Sequence, residues 1–216
     1  MAGVLALAWA TPAEAAPRCS GKGARGLAST SSARVFTLPA GGDEKVYACL
    51  FSQNKRRRLG TLRNCGDDLA TSQFTLRGRY VGYVETSCGL ASGTDWVVVR
   101  DIRTGGVRYR AFGAANAEAP SGTEPSITVH ELEMSRSGSV VWIGDYDHDS
   151  DGVGGANDRR QVRMMFNGYA QANGDVADEG LGITVGSLAL GPQNQQGFSW
   201  AYWQVGDQPR TAKLQR

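Results

Sequence analysis

The sequence predicts an all-β fold assembled from repeated antiparallel hairpins, and three observations lead there. First, related stretches recur. Phe74-Thr-Leu-Arg-Gly-Arg-Tyr-Val81-Gly-Tyr83, Leu132-Glu-Met-Ser-Arg-Ser-Gly-Ser-Val140-Val-Trp142, and Leu188-Ala-Leu190 with Phe198-Ser-Trp200 each read as strand, turn and strand with an aromatic. Tyr83, Trp142 and Trp200 stand 59 and 58 residues apart, and a fixed period of this length marks a repeat architecture. Second, short runs rich in β-branched and aromatic residues alternate with turn residues. Third, no stretch keeps a 3.6-residue apolar period over three turns, so no amphipathic helix is expected. The 29 glycines suit the many tight turns such a fold needs.

The elements follow in chain order. Gly3–Ala10 is a short apolar run, and Thr11-Pro-Ala13-Glu-Ala15 places small residues before a cut after Ala15. This pattern predicts a secretory signal over residues 1–15. Residues 16–33 read as a flexible leading segment, followed by one domain over 34–216. Gly21-Lys-Gly23-Ala-Arg-Gly26 matches G-x-G-x-x-G, but no strand precedes it, as a dinucleotide site requires. Val46–Phe51 and Arg56–Leu59 form a hairpin around Asn54, a residue that tolerates the left-handed turn conformation. The same form recurs at Val97–Ile102 and Val107–Arg110 around Gly105, and again from Val162–Met165 back to Val176. Tyr80–Val84 and Ser139–Ile143 supply further strands, and Pro209–Leu214 is a partial last copy. The basic run Lys55–Arg58 falls on a strand, where side chains alternate faces. It therefore protects a sheet edge rather than forming one patch.

Units of roughly 50 residues with three or four strands each resemble β-propeller blades. Asp101-Ile-Arg-Thr-Gly-Gly-Val and Ser135-Arg-Ser-Gly138 before Val140-Val-Trp142 look like the turns of TolB-like and WD40-like propeller repeats, over residues 34 to 214. The Gly-His and Trp-Asp pairs of WD40 blades are absent. The chain also resembles the small exported repeat proteins of actinobacteria. The resemblance implies a β-propeller-like domain of about four small blades; an open or sandwich-like array of the same hairpins is the alternative.

Four cysteines occur: Cys19, Cys49, Cys65 and Cys88. Their spacing does not suit zinc, and in an exported chain it reads as two disulfides. The pairing Cys19–Cys49 and Cys65–Cys88 closes a local loop within each repeat. Asp145-Tyr-Asp147-His-Asp149-Ser-Asp151-Gly152 is the sharpest local motif. Alternating carboxylates before a glycine turn can wrap oxygen ligands around calcium. The motif resembles the D-x-D-x-D-G loops of EF-hands, dockerins and integrin-type propellers. The expected ligands are Asp147, Asp149, Asp151 and Asp158 with a backbone carbonyl near Val153, and Asp145 in reserve. Asp158 stands where such loops usually carry Glu, and Gly155 where integrin-type loops carry Asp.

Lys+Arg number 23 against Asp+Glu 21, an excess of two that gives no field for nucleic acid. No later run is long and apolar enough for a transmembrane helix. The functional expectation is a monomeric, non-catalytic module, extracellular or in the cell envelope. It binds a protein or glycan partner through its loops and is stabilised by calcium. The alternative is a secreted hydrolase or lyase using Glu85, Asp95 and Asp145 at a propeller mouth. His130 and His148 are the two histidines, and no serine is marked as partner in a triad. Tyr83, Trp142, Trp200, Tyr202 and Trp203 are expected in the sheet core.

Overall fold

The computed structural model describes residues 19–62, 70–88, 93–114, 126–148, 158–166 and 174–214. Among these there are fifteen strands and no helix. They fall into consecutive antiparallel meanders. The first contains β1 (Arg25–Ser29), β2 (Ala33–Ala40), β3 (Asp43–Leu50) and β4 (Lys55–Leu62). The second contains β5 (Ala70–Arg77), β6 (Tyr80–Cys88), β7 (Gly93–Asp101) and β8 (Val107–Phe112). The third contains β9 (Ser126–Met134), β10 (Val140–Asp147), β11 (Arg159–Met165) and β12 (Asp175–Glu179). The last contains β13 (Ala189–Leu190), β14 (Ser199–Val205) and β15 (Gln208–Leu214).

Two short parallel contacts, β4 with β5 and β7 with β9, join the first three meanders into one mixed sheet of twelve strands. The path through that sheet runs from β1 to β12 and does not close into a barrel. The last three strands form a separate sheet. The first strands of successive meanders neighbour one another: β5 lies against β1 and β9, and β9 lies against β13.

The three largest apolar clusters sit between successive meanders. Val35, Val46 and Ala48 of the first pack on Val81, Tyr83 and Val98 of the second. Tyr80, Val84 and Val97 pack on Met134, Val140 and Trp142 of the third. Val141, Ile143 and Val162 then meet Ala201, Trp203 and Leu214 of the last. Alternation along β6 and β10 sends successive side chains to opposite faces, and both faces are covered. This explains why these strands read as continuous apolar runs rather than apolar-polar alternation.

Turn chemistry follows the sequence. Asn54 has φ 45° and Gly105 φ 83°, so both hairpins use the left-handed conformation expected of them. Gly144 allows a close approach between meanders, since a Cβ there would lie 2.1 Å from the Gly113 carbonyl oxygen. That same oxygen accepts a hydrogen bond from Trp142 Nε1.

Tyr83, Trp142 and Trp200 all lie on the second strand of their meanders. Tyr83 and Trp142 are fully buried, but Trp200 is 44% exposed. In β14 the inward residues are Ser199, Ala201 and Trp203, so Trp203 fills the core position and Trp200 and Tyr202 face out. Strand β1 forms in a stretch that carries no strand pattern in the sequence.

The Cys19–Cys49 disulfide forms, with Cα atoms 5.4 Å apart. It anchors the leading segment over Phe36 on the outer face of the first meander. Cys65 and the side chain of Cys88 lie outside the described residues, as do residues 1–18 with the expected signal.

Candidate functional site

Each meander contributes the turn between its first two strands to one cavity. In the first, Thr30 Oγ1 accepts the backbone N–H groups of Ser32 and Ala33 at 3.3 and 3.1 Å, a local bond that holds a tight turn. In the second, Gly78 takes φ 60° between Arg77 and Arg79. In the third, Gly138 takes φ 88° and its N–H donates to the Ser135 carbonyl at 3.1 Å. In the last, Gly197 takes φ 87°, and Gln193 Nε2 donates to the Gly197 carbonyl at 2.7 Å. Thr30–Ser32, Leu76–Gly78, Met134–Arg136 and Leu190–Gln193, with Ser199 at the start of β14, line a cavity of about 680 Å3.

The lining is polar and one-signed. Among the described residues, Arg77 and Arg136 are its charged side chains, and no carboxylate lines it. Both arginines are exposed. Arg77 approaches Glu133 only to 3.9 Å, beyond hydrogen-bond distance. Thr30, Ser31, Ser32, Ser135, Ser199 and Gln193 add hydroxyl and amide groups. These groups can hold a polar or anionic ligand, but they include no nucleophile with an adjacent base.

The acidic motif occupies the end of β10 and the residue before β11. Asp147 and Asp158 are both buried there, Asp158 to 2% exposure. The His148 N–H donates to Asp158 Oδ1 at 2.9 Å, which ties the two ends of the intervening loop together. Two buried carboxylates at a loop base are hard oxygen donors of the kind calcium takes. Asp149, Asp151 and Val153 lie outside the described residues. Among the described residues no group of three His, Cys, Asp or Glu gathers as a metal site.

Asp145 is engaged elsewhere. Arg160 holds it through Nε at 2.6 Å and Nη2 at 2.7 Å, and His130 Nε2 lies 2.8 Å from its Oδ2. Burial pushes the Asp145 carboxyl up, but the hydrogen bonds from Arg160 and His130 outweigh it and hold the pKa below the usual range. Arg160 also donates to the Ile183 carbonyl at 3.0 Å, linking the third meander to the last.

The other two carboxylates are equally committed. Glu85 accepts from Tyr83 Oη at 3.1 Å and Arg110 Nε at 3.0 Å. Asp95 accepts from Thr86 Oγ1 at 2.6 Å and the Val129 N–H at 2.8 Å. Burial raises the Asp95 pKa against these two bonds. Neither Glu85, Asp95 nor Asp145 lines the cavity at the turns. A general acid-base pair needs free oxygens facing substrate, and these oxygens already have protein partners.

The basic run is likewise structural. Arg56 stacks over the Tyr47 ring, while Arg57 donates to the Ile102 and Arg103 carbonyls of the β7–β8 turn. The run thus splits across faces, as strand alternation requires.

Arg77 and Arg136 are absent from the sequence-based candidates. Their signal lies inside the repeat itself, in Leu76-Arg77-Gly78 and Ser135-Arg136-Ser-Gly138, where they read only as turn residues. Compared with known proteins, the chain matches no family model, no curated protein and no solved structure.

Proposed function

We propose that this chain is an exported, non-catalytic β-repeat module that binds a protein or glycan partner through the turns around its mouth. In this reading the meanders are the four small blades of a propeller, and calcium braces the loop between Asp147 and Asp158. The observation that carries the reading is the cavity to which every meander sends its equivalent turn. Support for the blades comes from the successive contacts of β1, β5, β9 and β13 and from apolar clusters placed between meanders. The Cys19–Cys49 bond fits an oxidising compartment such as the cell envelope or exterior. The bonded state of Glu85, Asp95 and Asp145 weighs against hydrolase or lyase chemistry.

The test is capture of envelope components from the producing cell by immobilised protein, compared with a Ser31→Trp variant. Ser31 is exposed at the cavity, so a tryptophan there fills the mouth without touching the core. Loss of specific capture in the variant is the expected result. Equal capture by both proteins would place the binding surface elsewhere and end this reading.

A further inference from the structure

The mouth has a chemistry that selects among ligands. Resting on the reading of the mouth as a binding site, we infer that it takes an acidic oligosaccharide, held through carboxylate or sulfate groups by Arg77 and Arg136. Four features of the cavity carry this.

The first is charge. Arg77 and Arg136 come from equivalent turns of the second and third meanders, and among the described residues no acidic side chain lines the space with them. A guanidinium presents a planar fork of donors that matches an oxyanion in bidentate fashion. The second is availability. Arg136 makes no hydrogen bond or ion pair to any described residue. Arg77 spends one nitrogen on the Leu76 carbonyl at 3.3 Å and is only loosely placed beside Glu133. Both forks therefore keep donors for a ligand.

The third is size. A cavity of about 680 Å3 falls within the roughly 300–1,000 Å3 that encloses a small organic ligand, and a lone inorganic anion fills little of it. The fourth is the remaining lining. Ser31 and Ser32 line the space with hydroxyls that both donate and accept, as ring and exocyclic hydroxyls of a sugar require. Among the described residues no aromatic side chain lines the space, so these residues offer no stacking platform of the kind a single-stranded nucleic-acid site uses.

The experiment follows backbone amide signals by NMR during titration with three probes: a galacturonic acid trimer, a heparin-derived tetrasaccharide and neutral maltotriose. The expected result is movement of the Ser32, Gly78, Ser135 and Gly191 amides with one or both acidic probes, and little with maltotriose. The carboxylated and sulfated arms separate the two anionic sources. An Arg77→Ala, Arg136→Ala double variant should bind the acidic probe at least roughly tenfold more weakly, as loss of a charged hydrogen bond implies. Both side chains are exposed, so the rest of the amide spectrum should be unchanged and report an intact fold. Raising the salt concentration should weaken acidic binding and leave any neutral binding alone.

Three results would overturn the inference. Maltotriose could move the same amides as strongly, or the double variant could bind as tightly as wild type. In either case the mouth remains a binding site but not an anionic one. If neither acidic probe moves these amides at millimolar concentration, acidic glycan is not the ligand. The Ser31→Trp capture comparison then decides separately whether the mouth binds anything.

Discussion

At the scale of single residues, the side chains with the most chemistry are those that tie neighbouring strands together. Asp145 is buried, and Arg160 binds both of its oxygens while His130 adds a third contact. Its pKa is lowered in the folded state, below the unfolded value of about 3.9. Such a carboxylate contributes stability that is fully present above the unfolded value and is lost as pH falls through the folded one. Urea melts should therefore show an acid limb below about pH 4 that shrinks in Arg160→Ala. At neutral pH that variant should lose roughly 3 kcal/mol, the low end for breaking a buried pair, since Arg160 keeps some solvent contact and His130 remains. An unchanged acid limb would show that Arg160 does not govern this carboxylate. Trp142 is the largest fully buried side chain among the described residues and also donates to the Gly113 carbonyl. Trp142→Ala should cost about 3–5 kcal/mol, read from the shift of the urea midpoint.

At the scale of elements, much of the strand pattern is legible because β-branched and aromatic runs alternate with Gly and Asn turns. The hairpins around Asn54 and Gly105 fall where their residue types place them, since a left-handed φ admits few others. Strand β1 escapes notice because Arg25-Gly-Leu-Ala-Ser29 carries neither alternation nor branched residues. The assignment of Trp200 fails for a different reason. Trp200-Ala-Tyr-Trp203 is apolar on both faces, so no pattern fixes its register, and a shift of one residue exchanges inside for outside. Two element-level predictions follow from tethers. Replacing Cys19 and Cys49 with serine should cost about 2–4 kcal/mol by releasing the closed loop, and non-reducing peptide mapping should also recover Cys65 linked to Cys88. If calcium braces this segment as proposed above, millimolar calcium should raise the melting temperature, because a ligand taken only by the folded state stabilises it. An Asp147→Asn, Asp158→Asn variant should lose that rise. A wild-type melting temperature indifferent to calcium would leave the loop a bonded turn and nothing more.

At the scale of the whole molecule, the cavity could not be read from the sequence because its walls lie far apart in the chain. The repeat marks Arg77 and Arg136 as members of equivalent turns, yet only packing of successive meanders brings those turns to one place. The same packing makes the fold interdependent. Val141 and Ile143 are fully buried in one cluster with Ala201, Trp203 and Leu214 of the last meander. A chain ending at Glu179 keeps the first twelve strands but leaves that apolar face open, and contiguous exposed apolar surface drives association. It also removes Leu190–Gln193 and Ser199 from the mouth. The shortened chain should bind a hydrophobic dye, self-associate in size-exclusion chromatography and melt well below the full chain. A monomeric product with an unchanged melting temperature would show that the last meander is an appendage, and the mouth would then have to be built from three turns alone.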